Sequence, residues 1–365
     1  MKTRTPATPV WLLPMAAAIA TARSLVDGTE QILRDFSGGS EASRQSIEWV
    51  TPNNVVREFS TMRLRDFSIG PRAGVPVLIE APFAIHDAGI INIAEGHSLV
   101  AAFLKHDRRG VFVTDWKSGT PALSGLSIDS YISDLNAAVD AVGGVVDLVG
   151  ICQGGWMALL YAATCPGKIR RLTLAGAPID TDAAHSTLVA AARSTPRAWI
   201  ENMINAGNGV VLTDMVFSGL LDLCATTREA RAALQIAGAE ETASDDAVAR
   251  FLRWNRRNLV LPGRYFLEVF DWIFRENRIA GGDFPVFGSP AELRRVTIPL
   301  FVLAGDRDDF APAAQSLAAI DFVGTPRGKS HARIVPDCGH LDLFMGARVL
   351  RDEWPKVIAF LNAND

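Results

Sequence analysis

A cysteine flanked by glycines is the residue of this sequence best suited to covalent chemistry. Cys152 lies in the run Gly150-Ile151-Cys152-Gln153-Gly154-Gly155, directly after an apolar segment at 145–149 and before a stretch with helical spacing. A strand-to-helix turn this tight strains the backbone of its central residue, so Gly150 and Gly154 must lack side chains. The sulfur would stand at a helix N-terminus, whose partial positive charge favours a thiolate. The alternative interpretation is a small buried cysteine without chemistry.

A thiol in this role needs a base, and the base needs an acceptor that orients it. Asp308 follows the apolar segment 298–304, and His340 follows a segment that ends near Val335. Both therefore lie at the C-terminal ends of predicted strands, where open α/β sheets gather their sites. The chain order of cysteine, aspartate and histidine is the order expected with such a turn. The sequence predicts a triad of Cys152, Asp308 and His340.

Two neighbouring acids and one other histidine compete for these roles. Asp306 and Asp309 lie in the same loop as Asp308, but an acid of this fold is commonly followed by an apolar residue and a proline, which favours Asp308. The two other acids are expected to be solvated or paired with Arg307. His331 is expected to precede the last strand and to face solvent, which favours His340 as the base.

Two backbone N–H groups are expected to meet the oxyanion that forms when the thiolate attacks a carbonyl. One belongs to Gln153, the residue after the nucleophile. The other should come from the loop after the first strong strand, Ala81-Pro82-Phe83-Ala84. Because Pro82 has no N–H, Phe83 is the candidate for the second donor.

The elements that must position these residues alternate between short apolar runs and amphipathic helical stretches. Short Val, Ile and Leu runs separated by helices predict a mostly parallel sheet buried on both faces, and the elbow specifies the α/β-hydrolase fold. The predicted strands are 75–81, 110–116, 145–149, 171–176, 298–304 and 332–335. The predicted helices are 98–106, 128–142, 156–163, 312–320 and 347–361.

The strand pattern stops between residues 179 and 289, a segment rich in aromatics with predicted helices at 227–236 and 246–254. We interpret this segment as a helical cap inserted into a core of residues 51–178 and 290–365; a separate helical domain is the alternative. Residues 1–50 are predicted to form an N-terminal helical segment with a helix at 14–36. Its apolar run also resembles a secretory signal peptide, so both interpretations stay open.

Composition excludes several classes of function. The chain has 365 residues and a net charge of −4, which favours neither nucleic acid nor a polycation as a partner. The four cysteines lack CxxC pairing and the six histidines are scattered, so no metal or disulfide framework is expected. Isolated cysteines fit a reducing compartment such as the cytoplasm.

The motifs together resemble the polyhydroxyalkanoate synthases, especially the short, class III-like catalytic subunit. The box around Cys152 is similar to that family's lipase-like box, and the triad positions coincide. Further similarities are Val113-Thr114-Asp115-Trp116, Ile128-Asp129-Ser130-Tyr131-Ile132, Trp254-Asn255, Leu261-Pro262-Gly263 and Asn277. The chain departs from the family pattern at Asp309, at Ala84-Ile85-His86-Asp87 and around Arg256-Arg257.

The resemblance implies an acyltransferase that polymerises hydroxyacyl-CoA thioesters through an acyl-enzyme on Cys152. It implies CoA thioester as substrate and no separate cofactor, a growing polyester chain as the second substrate, and a granule surface as a location. A second synthase subunit or a homodimer is the expected assembly. The alternatives are a polyester depolymerase or acyl-thioester hydrolase with the same triad, and a non-catalytic granule-associated homologue.

Overall fold

A computed structural model describes residues 49–70, 74–106, 109–213, 245–255 and 257–363 of the chain. Its centre is an eight-stranded sheet, and six of the strands occur where short runs of branched and aromatic residues were predicted to form them. The strands are β1 (Asn54–Glu58), β2 (Met62–Asp66), β3 (Val77–Glu80), β4 (Val111–Trp116), β5 (Val146–Ile151), β6 (Ile169–Ala175), β7 (Leu300–Gly305) and β8 (Ser330–Val335).

The strand order across the sheet is β1-β2-β4-β3-β5-β6-β7-β8. Strand β2 runs antiparallel to both of its neighbours, and all pairings from β4 onward are parallel. The predicted mostly parallel sheet and the α/β-hydrolase fold are therefore confirmed. The sequence did not predict β1 and β2, because β1 is largely exposed and β2 alternates apolar residues with Arg63 and Arg65.

Helices cover both faces of the sheet. On one face α2 and α3 pack with Leu78, and on the other α1 and the C-terminal helices pack with Val77 and Ile79. Alternate residues of one strand thus serve two cores. The helices are α1 (Leu99–His106), α2 (Ile128–Ala141), α3 (Gln153–Thr164), α4 (Thr187–Ser194), α5 (Arg197–Ala206), α6 (Asp245–Asn255), α7 (Gly263–Glu268), α8 (Arg278–Gly281), α9 (Ala313–Leu317), α10 (Ala319–Phe322), α11 (Asp342–Met345), α12 (Ala347–Asp352) and α13 (Trp354–Asn362).

Two predicted helices are each divided in the structure. The segment 347–361 forms α12 and α13, because Pro355 lies in the first turn of α13 and cannot donate a hydrogen bond to the preceding turn. The segment 312–320 forms α9 and α10, which meet at Ala318. Neither break moves a candidate site residue.

The segment between β6 and β7 is mainly helical, and the predicted helix 246–254 is present as α6. The prediction that it lacks strands was wrong in detail. Val210–Leu212 pairs antiparallel with Val260–Pro262, and Pro285–Val286 pairs with Ser289–Pro290. These strands have two or three residues, too few to show a period of two in sequence.

The predicted helices 14–36 and 227–236 lie outside the described residues. The structural helix and the signal peptide therefore both stay open as interpretations of the N-terminal segment. The division into core and cap stays a prediction. In the part of the chain that the structure describes, no helix is long and apolar enough to cross a membrane.

Glu80 is a carboxyl buried at the end of β3. It is fully buried, and neither side-chain oxygen has a hydrogen-bond partner in the described structure. Burial therefore raises the pKa of Glu80 well above its ordinary value, and the folded protein holds this carboxyl neutral.

We expect a Glu80→Gln substitution to stabilise the protein increasingly as pH rises. Unfolded chains ionise Glu80 above its ordinary pKa whereas the folded protein keeps the proton, so between that value and the raised folded pKa stability is lost at about 1.4 kcal/mol per pH unit. Glutamine cannot ionise and removes this loss. Urea unfolding at pH 5 and pH 8 measures the effect, with exposed Glu95→Gln as the control; an equal gain at both pH values would contradict it.

Candidate active site

The turn between β5 and α3 carries Cys152 in a backbone conformation that side chains rarely adopt. Its φ is 51° and its ψ is −118°. The turn is fixed from both sides, because the Cys152 N–H donates to the Ala175 carbonyl at 2.8 Å and the Cys152 carbonyl accepts from the Gly155 N–H at 2.9 Å. The predicted elbow geometry is therefore present, with the side chain at the C-terminal edge of the sheet.

The glycines of the elbow are required by close approach. A Cβ on Gly150 would lie 2.7 Å from the Ala158 Cβ and from the Gly154 carbonyl oxygen. A Cβ on Gly154 would overlap the carbonyl oxygen of Glu80, and one on Gly155 would overlap Ala177. The sequence prediction missed the role of Gly155, for which the Gly154-Gly155 doublet is the available signal.

The structure brings Cys152, Asp308 and His340 together. The Nδ1 atom of His340 lies 2.7 Å from the Asp308 Oδ2 atom, and His340 and Cys152 line the same cavity. The second oxygen of Asp308 accepts the N–H groups of Phe310 and Ala311 at 2.9 and 2.8 Å. A carboxylate held this way fixes the imidazole with Nδ1 as the donor, which leaves the other ring nitrogen able to accept a proton.

The competing residues lie elsewhere. Asp306 and Asp309 are exposed, and the Asp306 carboxylate accepts the Cys338 N–H at 3.1 Å. Arg307 forms its ion pair with Asp337, not with either acid. His331 is exposed, as expected, but the prediction that it precedes the last strand was wrong, since it lies within β8.

Charge neighbours set the protonation of His340. Burial lowers the pKa of His340, but the negative charges of Asp308 and Cys152 raise it more, so the net pKa lies well above the ordinary value. The ring packs against Phe310 and edge-on against Phe344, with centroids 5.4 and 5.2 Å away. These charges therefore favour the acceptance of a proton by the imidazole.

The predicted oxyanion donors flank the sulfur on two segments. Gln153 is the first residue of α3, so its N–H belongs to the group of helix N–H donors without partners in the preceding turn. Its side chain is anchored by the indole N–H of Trp156. Phe83 is buried between Tyr131 and Tyr265, and its carbonyl accepts the Tyr265 hydroxyl at 3.1 Å. Both residues line the cavity above Cys152, and their roles stay predictions.

A cavity of about 330 Å³ opens onto Cys152 and His340. Its walls are mostly apolar side chains from the segment between β6 and β7. The aromatics of this segment have different environments: Phe251 is buried in the core and Trp272 is half-buried against Phe284, whereas others line the cavity. The cavity-lining aromatics of that segment are Trp199, Trp254, Tyr265, Phe266, Phe270 and Phe274.

The other cysteines that the structure describes, and the arginines near residue 260, have no triad-like neighbours. Cys338 is buried, and burial raises its pKa above the ordinary value; burial likewise raises the pKa of Cys165. Arg264 pairs with Glu268 at 2.9 Å and Arg257 with Asp87 at 3.3 Å. Cys224 and Arg256 lie outside the described residues. No cluster of potential metal ligands exists among the residues described.

The sequence prediction missed His86 as a cavity residue. Its ring packs at a tilt against the Trp254 ring, with centroids 4.5 Å apart, and both rings line the cavity that contains Cys152. Its Nδ1 atom lies 3.2 Å from the Arg257 carbonyl oxygen. The available signal was the departure of Ala84-Ile85-His86-Asp87 from the family pattern.

Comparison with known families agrees with this geometry. Residues 176–365, just over half of the chain, match the family model described as PHB de-polymerase C-terminus. The chain belongs to this family. The matched part begins after β6 and includes both Asp308 and His340, whereas Cys152 precedes it.

Curated relatives of the chain are poly(3-hydroxyalkanoate) polymerases. The PhaC subunit of Synechocystis sp. is 24% identical, with 96% of each chain covered. The PhaC subunit of Allochromatium vinosum is 23% identical over 79% of this chain and 81% of its own. That of Haloferax mediterranei is 24% identical, and the chain covers 63% of its length. The predicted resemblance to polyhydroxyalkanoate synthases and the expectation of an acyltransferase-type enzyme are confirmed.

Solved structures with the same fold are hydrolases and related enzymes. A monoacylglycerol lipase of Paleococcus ferrophilus has a TM-score of 0.52 at 16% identity, covering 82% of this chain and 98% of its own. A bromoperoxidase from Bacillus anthracis has a TM-score of 0.51 at 16% identity, covering 83% and 96%. At this identity the likeness establishes the fold alone.

We expect Gly154→Ala to destabilise the protein by about 1–3 kcal/mol, because the added methyl group meets the Glu80 carbonyl in a backbone that cannot withdraw. Urea unfolding measures the change. Gly167→Ala is the matched control, since a Cβ there meets nothing within 4 Å. Equal stability of the two variants would refute the steric requirement.

Proposed function

We propose that the chain is a polyhydroxyalkanoate synthase that transfers hydroxyacyl groups from CoA thioesters through a covalent intermediate on Cys152. The observation that carries the proposal is the Asp308–His340 hydrogen bond beside Cys152, in one mostly apolar cavity that both His340 and Cys152 line. An activated thiol next to an oriented imidazole is the arrangement needed for acyl transfer.

The first half-reaction forms the acyl-enzyme. The Cys152 sulfur gives its proton to His340 and attacks the thioester carbonyl, and a new carbon–sulfur bond forms as the bond to CoA sulfur breaks. The departing CoA thiolate takes the proton back from His340. The developing oxyanion is met by the N–H groups of Gln153 and Phe83. Exchange of one thioester for another keeps the acyl group activated.

The second half-reaction extends the polymer. The hydroxyl at the chain end gives its proton to His340 and attacks the acyl-enzyme, so an ester bond forms and the Cys152 thiol is restored. The apolar walls of the cavity support transfer over hydrolysis, because they disfavour water near the acyl-enzyme. The names of the curated relatives support hydroxyacyl-CoA and a polyester as substrates.

A second subunit, and a cytoplasmic location at the surface of polymer granules, belong to the same proposal. The description of the relatives as polymerase subunits supports a partner chain. Hydrolysis of a polyester or thioester is the second candidate, because the matching family model is described by depolymerase activity. Both reactions use the same acyl-enzyme and differ in whether a hydroxyl or water attacks it.

The assay that tests this proposal supplies 3-hydroxybutyryl-CoA to the purified protein and measures both thiol release and polymer. CoA release with insoluble polyester is the expected outcome, and CoA release with free acid alone would favour hydrolysis. Cys152→Ala should abolish release, whereas Cys165→Ala, a change to another half-buried cysteine, should not. Full activity of Cys152→Ala would end the covalent mechanism.

We expect Asp308→Asn to lower kcat for CoA release by at least about a hundredfold, because an amide no longer holds the correct imidazole tautomer. Asp309→Asn is the matched control, one residue away and exposed. Steady-state kinetics at saturating thioester provide the comparison. If the two variants were equally active, Asp308 would not be the acid of the triad.

A further inference from the structure

The cavity contains a second imidazole that the triad does not use. His86, Cys152 and His340 line the same space. His86 lies on the loop after β3, three residues beyond the predicted oxyanion donor Phe83. The cavity is mostly apolar, so His86 is one of its few polar groups. In such cavities the few polar groups fix the orientation of a bound ligand.

The hydrogen bond to Arg257 decides which nitrogen of His86 carries the proton. A backbone carbonyl can only accept, so the Nδ1 atom 3.2 Å from it must donate. Burial lowers the pKa of His86 to about 4, so the ring is neutral near pH 7. A neutral ring with its proton on Nδ1 has a bare Nε2 atom, which is a hydrogen-bond acceptor.

The Nε2 atom of His86 has no hydrogen-bond partner among the described residues, and it is not one of the fully buried polar atoms that lack a partner. The ring belongs to the cavity wall, so this acceptor is open to whatever occupies the cavity.

The loop that carries His86 is held in place by the end of α6 and by the segment that follows it. The Leu259 N–H donates to the Ile85 carbonyl at 2.6 Å, and the Trp254 indole N–H donates to the Asp87 carbonyl at 3.0 Å. Arg257 pairs with the Asp87 carboxylate at 3.3 Å, and His86 forms a bridge with Asn258. Because the residues on either side of His86 are held by these contacts, the His86 ring loses little conformational freedom when a ligand binds.

We propose that the His86 Nε2 atom accepts a hydrogen bond from the hydroxyl group of the hydroxyacyl chain, so that His86 selects hydroxyacyl over plain acyl thioesters. The inference rests on the proposed function and deepens it. An acyl group without the hydroxyl would leave a desolvated acceptor without a partner, and a site built around a hydroxyl discriminates against analogues that lack it. No proton leaves the hydroxyl in this step.

The test compares kcat/KM for 3-hydroxybutyryl-CoA and butyryl-CoA. The unaltered protein should prefer the hydroxy compound, and His86→Phe, which keeps an aromatic ring beside Trp254, should reduce that preference by about fivefold to tenfold. His86→Gln retains an acceptor at the end of its side chain and should restore part of the preference. A purely structural role of His86 would lower both kcat/KM values together and leave their ratio unchanged, which would overturn the proposal.

A binding measurement separates this proposal from the proposed function. In Cys152→Ala protein, which cannot be acylated, calorimetry gives dissociation constants for the same two thioesters with and without His86→Phe. A preference that disappears with His86→Phe supports the hydroxyl contact even if the unaltered protein releases no CoA, in which case the synthase proposal alone fails. Equal affinities for both thioesters in the presence of His86 overturn the hydroxyl contact alone.

Discussion

Backbone atoms approach each other at the elbow more closely than any side chain would allow, and the rest of the site depends on that approach. The Gly154 backbone lies against the Glu80 carbonyl, and Gly155 lies against Ala177. These contacts let α3 begin immediately above β3 and β5, which holds Cys152 at φ 51° at the edge of the sheet. Strands β6, β7 and β8 follow β5 in that order across the sheet, and all of these pairings are parallel. The loops after β7 and β8 therefore bring Asp308 and His340 to the same edge of the sheet as Cys152.

The sequence predicted the sheet core and the meeting of the three side chains because both follow from local chemistry. Buried parallel strands must be short apolar runs, and an elbow must be flanked by glycines, so β3 to β7 and Cys152 could be located without coordinates. Strands β1 and β2 could not, because β1 is largely exposed and β2 alternates apolar residues with arginines, so neither is a continuous apolar run. The short strand pairs between β6 and β7 are likewise fixed by tertiary contacts, not by sequence period.

The cavity shows a second limit of sequence reasoning. Whether Phe251 or Phe270 faces the interior or the cavity depends on how the helices between β6 and β7 are rotated, and aromatic residues favour both environments. His86 could be noticed as unusual, but its tautomer depends on the Arg257 carbonyl, 171 residues away in the chain. Long-range backbone contacts of this kind leave no pattern in a single sequence.

The separation of the three side chains along the polypeptide has a consequence for biosynthesis. A ribosome would finish the elbow and the strands beside it well before it reaches β7 and β8, which precede the acid and the base. During that interval His340 is absent, so under the proposed mechanism a nascent chain could not form the acyl-enzyme. Reactivity would begin when the last two strands join the edge of the sheet, which ties the onset of chemistry to the completion of folding.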